Sequence, residues 1–287
     1  MLTMRPIRAI RRRLRPAVKT VQSIALWKRF AFDDAPPIFG NAKAKSGSHL
    51  LLQVLAGFTR VLPCAYVEAE PIRTITKDGR RRPPGEVLSE LERIPRGVIG
   101  WGYLKPSPDN VDFLCRPDRV NYFIYRDPRD MLVSQVFFAT DMHEEHGMHA
   151  LYNSLPDFGA RLQVAITGIE QNGLKMVSVR QRYEDVLRWL DQKHVLCLRF
   201  EDLVNDRLST LSAVLDEVEK TGYLIPTPRQ RALTILAEAI EPKKSRTFRS
   251  GKTGGWREYF TDEHKQLFRQ VAGDLLVRLA YEKDNNW

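Results

Sequence analysis

Residues Ile38–Phe58 read IFGNAKAKSGSHLLLQVLAGF. The opening apolar run predicts a strand over Pro37–Ala42, and a helix follows from Ser48 with Leu51, Val54, Leu55 and Phe58 on one face. Between them lies Lys45-Ser46-Gly47-Ser48. A strand, a Gly-containing turn and a helix start form a phosphate-binding arrangement, because backbone N–H groups at the helix start point at the anion and the helix dipole adds attraction. Lys45 adds a full charge to that P-loop-like element, and the hydroxyls of Ser46 and Ser48 add donors. Lys-Ser-Gly alone is a weak signal, and its plain alternative is a surface turn. The segment is not a Walker A motif, since G-x-x-x-x-G-K-[ST] is absent.

Further strands are expected at Val98–Tyr103, Val120–Tyr125 and His194–Arg199. Helices are expected to begin near Arg129, Asp157, Val179, Asp206, Thr227 and Thr261. Short β-rich runs alternating with helical patterns predict an α/β fold, a single domain whose central, mainly parallel sheet is flanked by helices. Leu267, Val271, Leu275 and Leu279 recur along the last helical pattern and predict one continuous helix that covers the core. Residues 73–86 and 141–156 read as loops.

The 287 residues can bury a sizeable core, and 43% hydrophobic with 28% charged residues is ordinary for a globular protein. Cys64, Cys115 and Cys197 are widely spaced and odd in number, so neither a disulfide framework nor a metal site is expected. The net charge of +10 has a local origin. Residues 1–30 hold nine of the 45 Lys and Arg and no acid, and the remainder carries 36 basic against 35 acidic residues. The basicity therefore belongs to an arm, residues 1–34, and not to a nucleic-acid-binding face of the body, residues 35–287. Within the arm Ile7, Ile10, Leu14, Val18, Val21 and Ala25 recur at helical spacing. That pattern predicts an amphipathic helix lying on an anionic membrane surface, with a packed or frayed leader as the bland alternative. No apolar run reaches membrane-spanning length, and the amino-terminal segment lacks the apolar stretch of a secretory signal. The expected location is the cytoplasm.

Three more segments carry chemistry. Asn121–Phe138 reads NYFIYRDPRDMLVSQVFF, a strand, an Arg-Asp-Pro turn and a helix with Met131, Leu132 and Val136 inward. Thr247–Trp256 reads TFRSGKTGGW, and Val195–Val204 reads VLCLRFEDLV. Taken in order with the first loop, they resemble the sulfotransferases that use 3′-phosphoadenosine 5′-phosphosulfate (PAPS). The family's 5′-phosphosulfate loop is P-K-S-G-T-T-W. Here Ala44 takes the Pro position, Lys45, Ser46 and Gly47 match, Ser48 replaces the first Thr, and His49 and Leu50 depart from Thr and Trp. The family's 3′-phosphate segment, R-[ND]-P-[KR]-D-x-x-V-S, matches throughout and implies Arg126 and Ser134 as ligands. Its third element, F-R-K-G-x-x-G-D-W, implies Phe248, Arg249, Ser250 and Gly251, with Ser250 in place of Lys and Gly255 in place of Asp. Phe200 stands where a Tyr often meets the adenine, although a Phe in such a strand is ordinarily core.

The resemblance implies transfer of a sulfonate group from PAPS to a hydroxyl or amine of a small-molecule acceptor, without a metal. Lys45 would neutralise charge on the departing bisphosphate. The family's usual base, a His after a strand, is replaced by Tyr103 in Trp101-Gly102-Tyr103-Leu104-Lys105-Pro106. Tyr ordinarily titrates near pH 10, so Tyr103 and His49 both stand as candidates. His143, His146 and His149 read as exposed loop residues. The competing readings are a P-loop-type nucleotide or small-molecule kinase, which shares the strand–loop–Lys–helix start, and a nucleotide-binding protein with weakened catalysis.

Overall fold

The computed structural model describes residues 18–66, 70–76, 79–171, 173–244 and 251–287. Two compact units form, one from the residues up to Ile124 together with Gln192–Pro242, the other from Tyr125–Asp191 with Lys243–Trp287.

A helix over residues 18–27, α1, precedes the sheet of the first unit. Strand β1 (Ile38–Ala42) is buried along its whole length, as a central strand covered on both faces must be. Helix α2 (Ser48–Phe58) follows it. Two-residue strands β2 (Ala65–Tyr66) and β3 (Ile72–Arg73) precede α3 (Pro84–Glu92), β4 (Val98–Tyr103), α4 (Pro108–Leu114) and β5 (Val120–Tyr125). The strands run β2-β4-β1-β5-β8, with β3 also on β4 and with β8 spanning Leu196–Arg199. The registers are parallel, Asn41 facing Gly102 of β4 and Ala42 facing Ile124 of β5. The core gathers Ile38, Leu51, Val54, Leu55 and Phe58 with Ile99, Val120, Tyr122 and Ile124.

The second unit opens with α5 (Pro128–Phe137), which runs into a π-helical turn at Phe138–Met142. Then come α6 (His149–Ser154), α7 (Phe158–Thr167), an antiparallel hairpin of β6 (Ile169–Gln171) with β7 (Leu174–Met176), and α8 (Val179–Leu190). In the first unit, α9 (Phe200–Asn205) and α10 (Arg207–Glu219) follow β8, and α11 (Arg229–Ala239) packs on α2. The second unit closes with α12 (Asp262–Ala272) and α13 (Leu275–Arg278).

The expected α/β architecture with its parallel sheet is present, and β4 and β5 have the expected limits. Three local expectations are corrected. The last helical pattern is two helices, because Gly273 breaks it at φ 58° and ψ −125°. Its buried positions in α12 are His264, Phe268 and Ala272, and not Leu267 or Val271. His264 serves both ends of this packing, taking part in a capping box with Thr261 while its Nε2 contacts Gly159 O at 3.0 Å. The segment 141–156 is not a plain loop, since it contains α6 and the end of the π-helical turn. Finally, β8 begins at Leu196, two residues late, after His194 adopts a φ of 60°.

Candidate active site

In the first unit the Lys45 turn begins where β1 ends. Lys43 N–H donates to Ile124 O at 3.0 Å, so the strand pairing extends one residue into the turn. Lys45 then takes a left-handed φ of 65° and Gly47 a φ of 89°. A left-handed conformation costs a non-glycine residue about 1–2 kcal/mol, and such strain tends to persist at functional sites. Gly47 is the N-cap of α2, no side chain caps that end among the described residues, and the first turn has no acid. The helix start is thus left suited to an anion. Ser46 is fully buried, and its Oγ has no hydrogen-bond partner among the described residues. An orphaned buried hydroxyl in a phosphate-type turn fits an oxyanion that would complete it.

Phe200 is buried and packs against this loop. A Cβ on Gly47 would lie 2.5 Å from Phe200 Cδ2 and 3.3 Å from Ile124 Cδ1. The ring therefore sits in the core against Gly47 and supports the turn.

Tyr103 ends β4, and its hydroxyl donates to Ser48 Oγ at 3.0 Å. The two sequence candidates Tyr103 and Ser48 are thereby brought together at the first turn of α2. Asn41 makes this possible. Its buried amide donates to Leu104 O at 3.2 Å and accepts from Leu104 N–H at 2.8 Å, fixing the residue after Tyr103 to the end of β1. The Arg73 guanidinium stacks over the Tyr103 ring at 4.5 Å from its centroid, and Thr74 N–H donates to Tyr103 O at 3.3 Å. Neither Asn41 nor Arg73 stood out in the sequence, although a buried Asn inside an apolar strand is a recognisable signal. His49 lies exposed on α2.

The second unit carries the Arg126 turn. Asp127 caps α5 and accepts from Arg129 N–H at 2.9 Å. The Arg126 guanidinium donates to Lys252 O at 2.9 Å and lies 3.5 Å from Asp130 Oδ2, and Tyr183 donates to Arg126 O at 2.9 Å. Asp130 is buried and accepts from Gly254 N–H and from Trp256 N–H, each at 2.8 Å. Burial raises its carboxyl above the ordinary range, against the pull of Arg126 and these two amides. Asp130 is thus the anchor of the 251–256 loop, a role the sequence reading did not assign. Arg129 is fully buried between the rings of Trp256 and Trp287, 4.0 and 4.6 Å from their centroids, and pairs with Asp127 and Glu282. Ser134 is half-buried on α5. Gly251 takes a φ of 63°. Phe248, Arg249 and Ser250 lie outside the described residues.

The His143 and His146 rings pack on Phe138, and His149 Nδ1 lies 2.8 Å from Ala139 O. Among the described residues no group of three or more His, Cys, Asp or Glu could hold a metal ion, and no helix is long and apolar enough to cross a membrane.

The family model of the sulfotransferase domain matches residues 122–280, more than half of the chain. The chain belongs to the sulfotransferase family. Its matched region begins inside β5 and takes in Arg126, Ser134 and the 251–256 loop. No curated protein matches the chain in sequence. Among solved structures, mouse sulfotransferase SULT7A1 complexed with PAP is similar at a TM-score of 0.55 and 18% identity, over 93% of each chain. Retinol dehydratase in complex with androsterone and inactive cofactor PAP gives 0.55 at 14% identity, over 91% of this chain and 85% of that one. The same enzyme with retinol and PAP gives 0.54 at 14%, over 90% and 86%. At these identities the likeness is one of fold.

Proposed function

We propose that this sulfotransferase takes its sulfonate from PAPS and passes it to a hydroxyl or amine of a small-molecule acceptor. The observation that carries this reading is the turn at Lys45–Ser48, where a left-handed lysine, a glycine N-cap and an orphaned buried Ser46 hydroxyl meet at one helix start. Lys45, Ser46, Gly47, Ser48 and His49 hold the 5′-phosphosulfate end in this reading. Arg126 and Ser134 hold the 3′-phosphate, with Phe248, Arg249, Ser250 and Gly251 of the third element. Phe200 shapes the first loop through Gly47. PAP, present with each of the three similar structures, is what PAPS leaves once its sulfonate is gone.

PAPS supplies an activated sulfonate, and the chain's own residues supply position and charge. Lys45 places a cation where negative charge grows on the departing oxygen, stabilising the transition state more than the ground state. Ser48 Oγ accepts from Tyr103, so the phenol oxygen is held at the helix start, within reach of an acceptor proton there. Androsterone and retinol in the complexes of retinol dehydratase support an acceptor of lipid-like size.

Calorimetry tests the reading. PAP binds more tightly than AMP, and Arg126→Ala weakens PAP by about 1.5–3 kcal/mol, the scale of a hydrogen bond to a charged group. Equal affinities for PAP and AMP would overturn the 3′-phosphate assignment. With labelled PAPS at saturation, Lys45→Ala lowers the turnover rate. Tight PAP binding without transfer to any acceptor in a broad panel of alcohols, phenols and amines would favour a catalytically weakened nucleotide-binding protein.

A further inference from the structure

The side of helix α1 turned toward the first unit is mixed, with Thr20, Ser23, Ile24 and Trp27 less exposed than Val18, Val21, Gln22, Ala25 and Leu26. Thr20 Oγ1 donates to Tyr66 O at 3.3 Å, Ser23 Oγ to Cys64 O at 2.7 Å, and Trp27 Nε1 to Thr59 O at 3.0 Å. Ser23 is 1% exposed. A helix lying on a globular body ordinarily buries its apolar stripe and shows its polar face to water. Here Val18, Val21 and Leu26 are 52%, 61% and 54% exposed, and Phe30, just beyond the helix, is 89% exposed. Val18, Val21 and Ala25 all belong to the stripe read from the sequence, and all three face outward.

The sequence flanking α1 is predominantly basic, although Arg29 is paired with Asp34 Oδ1 at 2.8 Å. Arg5, Arg8, Arg11, Arg12, Arg13 and Arg15 immediately precede α1 in the chain, Lys19, Lys28 and Arg29 lie within or beside it, and no acid occurs before Asp33. A second copy of the chain would bring the same cations against them, which disfavours self-association through this surface. An anionic bilayer offers a negative headgroup layer above an apolar interior and complements both features.

We infer that the outward face of residues 18–30 docks on an anionic lipid surface. Val18, Val21, Leu26 and Phe30 enter the boundary between headgroups and acyl chains, and the adjoining arginines meet the anionic headgroups. Each contribution alone gives weak attachment, so binding requires both. This inference stands apart from the sulfonate chemistry, since none of its residues is placed in the phosphate-binding loops.

The test is co-sedimentation of the full chain with vesicles of phosphatidylcholine alone or of an equimolar phosphatidylcholine–phosphatidylserine mixture, at low and at high salt. Sedimentation is expected with the mixed vesicles only, and it falls as salt rises. Val21→Ser combined with Leu26→Ser and Phe30→Ser lowers it roughly tenfold or more while PAP binding is unchanged. Arg11→Gln combined with Arg12→Gln and Arg13→Gln lowers it too and flattens the salt dependence. Equal sedimentation with neutral vesicles would overturn the inference, as would undiminished binding by the serine variant. Concentration-dependent self-association that the serine variant abolishes, without vesicle binding, would show instead that a second copy covers the face.

Discussion

Tyr103 donates its hydroxyl hydrogen to Ser48, so it is already engaged with the helix that would meet the transferring group. If Tyr103 takes the acceptor's proton, Tyr103→Phe abolishes most turnover. If His49 does so, the rate rises through about pH 6–7 and His49→Ala removes that rise. A pH–rate profile of both variants decides, and full activity in each turns attention to an acceptor that needs no base. The cysteines give a second residue-scale expectation. Burial pushes the Cys197 thiol up to about 12, with smaller contributions from Cys115 and Glu217. Burial likewise raises Cys64 and Cys115. A folded state that keeps its thiol protons is favoured below the unfolded pKa of about 8.5, and that advantage is lost as pH climbs through the folded values. Disulfide-exchange labelling at pH 8 is therefore slow in the native protein and fast in urea, and stability declines above about pH 8.5. Rapid native labelling of all three thiols would contradict this.

At the scale of the element, the strand–turn–helix of residues 38–58 depends on one glycine. Gly47→Ala meets two obstacles: a φ of 89° and a Phe200 ring carbon 2.5 Å from the new Cβ. Gly79 has a similar φ of 86° with nothing within 4 Å of its would-be Cβ. Urea unfolding should show Gly79→Ala costing about 1 kcal/mol and Gly47→Ala about 2–4 kcal/mol, the difference being the overpacking cost. Equal costs would mean that the Phe200 ring swings aside freely. The same elements show what a sequence can reveal. Strands β1, β4 and β5 were legible because each is a run of mostly apolar residues bounded by turn residues. β2 and β3 were not, because two residues carry no periodicity and their pairing is with β4, far along the chain. The leucine spacing over 267–279 imitated a helix that Gly273 interrupts, so the periodic pattern outweighed a local breaker. Of the candidate residues, those of the Lys45 turn and those of the Arg126 turn were readable as contiguous motifs. Asn41 acts on Leu104, 63 residues away, and Asp130 acts on Gly254 and Trp256, 124 and 126 residues away. No local pattern announces such partners.

On the scale of the whole molecule, the two units are interleaved along the chain. The first unit supplies Gln192–Pro242 between the two segments of the second, so a cut near residue 191 divides both. Within the second unit, the segments are tied by Arg129, which lies between Trp256 and Trp287 and reaches Glu282. Arg269 also donates to Trp287 O at 2.9 Å. Trp287→Ala removes one face of that stack, and cation–π and packing losses together should cost about 1–3 kcal/mol. Because Asp130 and the Arg129 stack both hold Trp256, the same substitution should weaken PAP several-fold without altering the pH–rate profile. A variant with wild-type melting temperature and affinity would show that Trp256 holds its place unaided. The stack also has an optical consequence. Of the five tryptophans, Trp256 and Trp287 are edge-to-face at 5.7 Å, and each lies against the same guanidinium. Indole emission responds to nearby charge and to a neighbouring indole, and Trp256 ends the glycine loop at Gly251–Trp256. The chain thus carries a built-in fluorophore pair at that loop, and in the proposed reading PAP binding should change the intrinsic emission, a change that Trp256→Phe abolishes.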